Sequence, residues 1–489
     1  MTRPAILNLP SAILAFITVA GCTVGPDYRA PHLDVPDSFG SWTGGAVGQG
    51  VDLNRWWIAL NDPALDALID QSIAGNLDLR EAEARLREAR AQRGVVAADR
   101  FPGVNATGSY RRSKTSENAF SVGGGGDSGA GTSDSAFSFQ RPGDTTDLFQ
   151  AGFDASWELD LFGGVRRAVE AADADLDAVY ENRRNVLATL VAEVARNYAE
   201  LRGYQRQIGI AERNVKIQID AADVARAKAR LAGGSELEVA RAEAQTAQTR
   251  SQIPLLEQQR DAAAHRLAIL TGRPPRALFD SLTAAKTEAI PSGPPVVAPG
   301  LPAELLRRRP DVRRAERELA AATARVGEAT ADLYPRFTLT GAVGLQSETV
   351  RHLTDWKSHF WNFGPSFSWP IFDAGRIRSN VSVQESRTAQ ADARYRKAVL
   401  TALEEVENAL TAYSKEQSRR TQLTEAVARN RRAVELANTL YQGGARDFLN
   451  VIDAQRALLV TEDALAQSDR TVTTNLVALF KALGCGAGH

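Results

Sequence analysis

The chain between about residue 77 and residue 483 is written twice. The segment Asn76-Leu-Asp-Leu-Arg-Glu-Ala-Glu83 recurs without a gap as Arg309-Pro-Asp-Val-Arg-Arg-Ala-Glu316, and the same register carries Phe101-Pro102 onto Tyr334-Pro335. Leu231-Ala-Gly-Gly-Ser-Glu, running to Glu243-Ala-Gln245, returns as Tyr441-Gln-Gly-Gly-Ala-Arg, running to Asp453-Ala-Gln455. Each copy reads as helix, strand, long hydrophilic loop, strand, very long helix, sharp Gly-Gly turn and helix. Two copies of this length define a duplicated domain and not an open array of short repeats. The chain therefore has to bury two strand hairpins and two very long helix hairpins.

The strands carry the membrane signal. Phe149, Ala151, Phe153, Ala155, Trp157 and Leu159 alternate with Gln150, Gly152, Asp154, Ser156 and Glu158, giving one apolar and one polar face. In the second copy Phe337, Leu339, Val343 and Leu345 oppose Thr338, Thr340 and Gly344, and Phe363, Phe367, Trp369 and Ile371 oppose Gly364, Ser366 and Ser368; Val104 to Tyr110 is a weaker fourth member. Nine to eleven alternating residues suit a tilted strand crossing a bilayer, although a half-buried sheet in water reads similarly. The Gly- and Ser-rich stretch from Lys114 to Thr146 reads as a solvent-facing loop; its glycine run lacks the Lys-Ser/Thr and the following helix of a phosphate cradle. Lipid does not tolerate the open edges of a four-stranded sheet, and closed membrane barrels begin at about eight strands. A barrel built from this chain has to be shared between chains.

From Val165 to Leu231 and from Arg376 to Tyr441 no proline interrupts an Ala-, Arg- and Glu-rich sequence, so each segment predicts a helix of roughly 100 Å. Leu187, Leu190, Val191, Val194, Tyr198 and Leu201 recur at spacings of three and four, as do Leu400, Leu403, Val406, Leu410 and Tyr413. Shorter helices are expected over Leu77 to Asp99, Glu236 to Leu270, Asp311 to Leu333 and Phe448 to Leu483, with a kink at Pro254. Ala289 to Pro302 reads as a Pro-rich connector.

The N-terminus begins with little charge, continues through an apolar stretch from Ala12 to Ala20 and ends in Val19-Ala-Gly-Cys22, the pattern of a secretory signal peptide. After it no run of about 18 apolar residues occurs. With 58 basic and 59 acidic residues the chain has no dominant basic face, which argues against a nucleic-acid partner. The five histidines, His32, His265, His352, His359 and His489, are scattered without metal-ligand spacing, and no nucleophile–base constellation appears, so an enzyme is not expected. Cys485, four residues from the end, reads as an unremarkable tail residue.

Six motifs in order resemble the outer-membrane efflux lipoproteins of the TolC family. They are Gly21-Cys-Thr-Val-Gly-Pro-Asp-Tyr28, Trp56-Trp57 with Leu60-Asn-Asp-Pro63, Arg307-Arg-Arg-Pro-Asp-Val-Arg313, Ala331-Asp-Leu-Tyr-Pro335, Phe372-Asp-Ala-Gly375, and Leu440-Tyr-Gln-Gly-Gly running to Val451-Ile-Asp-Ala-Gln-Arg456. The resemblance implies an α+β membrane protein with internal duplication: a homotrimer whose four strands per chain make a twelve-stranded barrel, continuing into a twelve-helix periplasmic barrel. It implies cleavage before Cys22, which would carry diacylglycerol and an N-acyl chain with no other cofactor, and Thr23 in place of Asp implies the outer membrane. The implied division is a signal peptide over 1–21, a lipidated and equatorial segment over 22–75, a first repeat over 76–288, a linker over 289–308, a second repeat over 309–483 and a tail over 484–489. The strand hairpins fall at about 103–160 and 336–371, and the helices at 165–231, 236–271, 376–441 and 446–483.

By the same resemblance the protein is a passive exit channel for small toxic molecules, docked to a periplasmic adaptor and an inner-membrane pump of the resistance-nodulation-division class; a protein-secretion channel and a heavy-metal duct are the alternatives. The tips at Gly233, Gly234, Tyr441, Gly443 and Gly444 would meet the adaptor. Leu449 and Asp453 would close the tunnel, with Arg456 the nearest basic partner. The only methionine, Met1, is lost with the signal, so this channel offers no thioether ligand for Cu(I).

Overall fold

A computed structural model describes residues 23–40, 53–114, 116, 145–231, 235–284, 289–293 and 302–486. The expected signal peptide, Cys22, most of the Gly- and Ser-rich stretch between Lys114 and Thr146, and Gly233 and Gly234 of the expected first tip lie outside these residues. In chain order the elements are a 3-10 turn at Leu53–Leu60, α1 (Pro63–Gly75), α2 (Leu77–Ala98), β1 (Gly103–Lys114), β2 (Thr145–Leu159), α3 (Gly164–Arg230), α4 (Glu236–Leu270) and α5 (Phe279–Thr283). They continue with α6 (Pro302–Arg308), α7 (Pro310–Ala331), β3 (Arg336–Ser347), short 3-10 turns at Val350–His352 and Trp356–Ser358, β4 (His359–Ser368), α8 (Arg376–Gln442) and α9 (Phe448–Ala482). The two halves match in length as well as order: α2 and α7 have 22 residues each, α3 and α8 have 67, and α4 and α9 have 35. Helix α4 continues through Pro254 as one element. None of the described helices is long and apolar enough to cross a membrane.

The chain divides into two compact units. The first collects Met1–Tyr28, Ala91–Asp173 and Ala321–Thr388, and holds a single antiparallel four-stranded sheet in the order β1-β2-β3-β4. All neighbours are consecutive strands; β2 and β3, which join the two halves of the chain, are separated in sequence by α3–α7. Where strand gives way to long helix, an aspartate turns the chain: Asp160 accepts from the Arg166 amide (2.9 Å), and Asp373 from the amides of Gly375 (2.9 Å) and Ile377 (2.8 Å). These bonds occupy free donors of a helix N-terminus. The same bonds to the Asp373 carboxylate hold its pKa below the ordinary value, the Ile377 amide most of all.

The second unit comprises Arg29–Arg90, Ala174–Ala320 and Ala389–His489, and is packed helix on helix. Its largest fully buried side chains include Trp56, Trp57, Tyr198 and Phe480. Trp56 stacks on Phe480 of α9 at 5.0 Å and meets Trp57 edge-on at 6.1 Å. The repeated motif that opens each half has one job in both copies. Asn76, 3% exposed, donates to the Leu270 carbonyl at the end of α4 (3.0 Å), and Arg309, 6% exposed, donates to the Ala482 carbonyl at the end of α9 (3.0 Å). Each satisfies a carbonyl that a helix end leaves without an amide. Asp311 and Glu405 pair with the Arg309 guanidinium (2.6 and 2.7 Å), so the charge is buried with partners.

Two expectations need correction. Cys485 is not a loose tail residue: it is 3% exposed, its amide bonds the Phe480 carbonyl (3.0 Å), and burial pushes its thiol up to about 12. The neighbouring Gly486 lies against the Trp56 indole, which is how the end of the chain joins this core. The last strand ends at Ser368, so Trp369 and Ile371 lie beyond it; Pro370, which has no amide to give a ladder, follows at once. The Pro-rich connector packs where it is described: the Thr473 hydroxyl donates to the Pro291 carbonyl (2.6 Å).

Candidate functional site

The sheet in the first unit has one continuous apolar face, because its register aligns what each strand only alternates. Phe153 stands opposite Val343, and Val343 opposite Trp361; Trp157 stands opposite Leu339, and Leu339 opposite Pro365; Leu159, Phe337 and Phe367 form a third row. On β1, Val104 and Ala106 join the same face opposite Ala155 and Phe153. Rows of the other parity are small or polar, such as Asn105, Asp154 and Ala342, or Glu158, Thr338 and Ser366. On the apolar face Phe153 is 59% exposed, Val343 57%, Trp361 74% and Phe363 70%, a density of open aromatic surface that water disfavours. At the strand ends nearer the helices, Trp157 and Trp369 turn their indole N–H groups back to the carbonyls of Arg100 (3.0 Å) and Leu333 (3.1 Å), and Phe162 stacks on Tyr334 at 4.7 Å. Aromatics with one polar handle suit the boundary between hydrocarbon and water. Strands β1 and β4 each have one unpaired edge.

The helix tips in the second unit are held by a compact cluster. Ala222, Ala225, Val239, Ala242, Tyr441, Phe448, Val451 and Ile452 bury one another. Tyr441 is its hub: it is 5% exposed, lies 5.0 Å from the Phe448 ring, and donates its hydroxyl to Glu238 (3.2 Å). Lys228 sits 3.8 Å over its ring and donates to its backbone carbonyl (2.6 Å). Burial first, and then the Glu238 carboxylate, push the Tyr441 hydroxyl up to about 12. The resemblance gives Tyr441 as an adaptor-contacting tip residue; its side chain faces inward and locks α3, α4, α8 and α9 together.

Helix α8 closes with the Ala445 amide on the Leu440 carbonyl (2.9 Å) and Gly444 at φ +72°, the left-handed stop that glycine adopts without steric cost. Gly443 beside it does not have a positive φ. Leu449, Asp453 and Arg456 fall on one exposed face of α9, opposite the buried Val451, Ile452 and Gln455. Among the described residues Arg456, the nearest basic candidate, does not pair with Asp453 but reaches across to the Gln245 carbonyl oxygen (3.0 and 3.3 Å). The carboxylate of Asp453 has no hydrogen bond or ion pair among the described residues, while Leu449 beside it is 49% exposed. Sequence reasoning missed Lys228, Glu238 and Gln245; the only available signal was their place within about three helical turns of the Gly233-Gly234 pair in the sequence. Among the described residues no group of three or more His, Cys, Asp or Glu side chains could hold a metal.

The model of the family described as outer membrane efflux protein matches this chain over residues 68–273 and 301–485, so the chain belongs to that family. It is 31% identical over 476 residues to nodulation protein T of Rhizobium leguminosarum bv. trifolii, covering 96% of each chain. It is 34% identical over 487 residues to the pyoverdine export outer membrane protein OpmQ of Pseudomonas aeruginosa, covering 97% of this chain and 96% of that one. Among solved structures, the outer-membrane channel OprN superposes with a TM-score of 0.84 at 36% identity, over 95% of this chain and all of the other. The open state of the Neisseria gonorrhoeae MtrE outer membrane channel gives 0.80 at 29% identity. The protein is thus an outer membrane exit channel for efflux, reaching into the periplasm, and not an enzyme.

Proposed function

We propose that three copies of this chain close one twelve-stranded barrel in the outer membrane and continue as a twelve-helix periplasmic tunnel, through which toxic small molecules leave the cell passively. The observation that carries this reading is the sheet: one continuous apolar face and two open edges in a single chain. Lipid admits such a sheet only when every edge is paired, and three four-stranded sheets supply twelve strands, well within the range of closed membrane barrels. The equal lengths of α3 and α8, and of α4 and α9, fit an internal duplication that gives each chain two comparable staves.

In this reading Cys22 carries diacylglycerol and an N-acyl chain as a second attachment to the membrane. The loops bearing Gly233, Gly234, Gly443 and Gly444 meet a periplasmic adaptor, and an inner-membrane pump supplies the energy. Leu449 and Asp453 of three chains form the constriction. A ring of unpaired carboxylates there repels anions and resists close approach of the three helices. Relatives are named for different cargoes, pyoverdine for OpmQ and cations for CusC of Escherichia coli, which fits selection by the pump and leaves the duct general.

The test is conductance of the purified protein in planar bilayers. The double variant Leu449→Ala/Asp453→Ala should raise resting single-channel conductance several-fold and lower cation preference. Unchanged conductance and selectivity would place the constriction elsewhere.

A further inference from the structure

The first described residues of the chain are built into the strand–helix junction by a side chain that nothing in the efflux chemistry requires. Arg167, in the first turn of α3, is 3% exposed. Its guanidinium donates to the carbonyls of Val24 (3.2 Å) and Gly25 (3.4 Å), and pairs with Asp27 (2.7 Å) and with Glu170 (2.7 Å). The Val24 amide completes the seat by donating to the Phe162 carbonyl (3.1 Å). Gly25 adopts φ +88° and lies so close to Gly327 of α7 that a Cβ on it would collide with the Gly327 backbone. A Cβ on Gly327 would in turn meet the Arg167 side chain at 2.8 Å, so each surface is cut to the other. A buried arginine is expensive unless its donors are used, and here two go to main-chain oxygens of a segment 142–143 residues away.

We propose that Arg167 is the receptor for the mature N-terminus, a positioning residue that seats Thr23–Tyr28 on the α3–α7 junction beside the ends of β2 and β3. Thr23 packs against Gly163, four residues beyond the end of β2. A second half of the proposal concerns the lipid. This second half rests on the acylation of Cys22 proposed above: the clamp would fix the lipid at the rim of the barrel, and the aromatic residues Trp157, Phe162, Tyr334 and Trp369 would mark the same level.

Hydrogen exchange of the detergent-solubilised full-length mature protein, followed on peptides spanning residues 23–28, tests the clamp. The Val24 amide should exchange at least tenfold more slowly in the wild type than in Arg167→Ala. Arg167→Lys, which keeps the charge but lacks the planar fork that bridges two carbonyls, should lie between them. Gly25→Val, which leaves the arginine in place, should also lose protection. Equal exchange in wild type and Arg167→Ala, or protection that survives Gly25→Val, would overturn the clamp. The anchor half is read separately, by metabolic labelling with a photoactivatable palmitate analogue. Wild-type crosslinks should concentrate on residues 157–164 and 331–336, and spread at least threefold more widely in Arg167→Ala; the same crosslink map in both would overturn it. In Cys22→Ser the label should vanish while slow exchange at Val24 remains. Label persisting in Cys22→Ser would refute acylation at that cysteine and leave the clamp standing.

Discussion

Val343→Arg is expected to keep the protein out of the outer membrane. Val343 lies near the middle of β3 with Phe153 on one side and Trp361 on the other, and 57% of it is open on the apolar face. An arginine on the lipid face of a barrel costs about 2–4 kcal/mol near the bilayer midplane. At about 1.4 kcal/mol per tenfold, that is roughly 30- to 700-fold in the insertion equilibrium for each chain, and it recurs in every copy. Membrane fractionation should show the variant lost from the outer membrane. Thr340→Lys, three rows from Val343 on the polar face of the same strand opposite Ser156 and Gly364, should insert almost normally. Normal insertion of Val343→Arg would mean that this face does not meet lipid.

The second large effect belongs to the helical unit. Trp56→Ala removes a side chain that is 1% exposed, stacked on Phe480 and set edge-on to Trp57. Deleting a buried aromatic ring of this size costs about 3–5 kcal/mol, from lost transfer energy and from the cavity left behind. The cost extends to the end of the chain, because Gly486 rests on the same indole. Thermal unfolding followed by helical circular dichroism should show a clear drop in midpoint, with Trp56→Phe losing less. A midpoint unchanged by Trp56→Ala would show that the tryptophan pair contributes packing that its neighbours can replace.

What the sequence made legible follows from period and length. Alternation over Phe149–Leu159 and the proline-free runs of both long helices act within a single element, so each strand face and each helix could be read alone. Register could not, because the row joining Phe153, Val343 and Trp361 spans three strands and depends on loops that carry no pattern of their own. The same limit explains the errors. Leu449, Asp453 and Arg456 were correctly placed on one helix face, yet spacing within α9 could not reveal that Arg456 finds Gln245, 211 residues earlier. A two-glycine turn shows where a helix stops, but leaves open which of Gly443 and Gly444 takes the left-handed conformation. Cys485 looked idle because its neighbour's partner, Trp56, lies at the other end of the chain.

The central claim is that one chain holds only part of a barrel. Native mass spectrometry of the protein, extracted from the outer membrane in detergent and stripped of it in the gas phase, tests this directly. The account predicts a single dominant species of three acylated chains, with no monomer population while the sheet edges stay paired. An inserted, detergent-stable monomer would contradict it, because the open edges of β1 and β4 would then have to face lipid without partners.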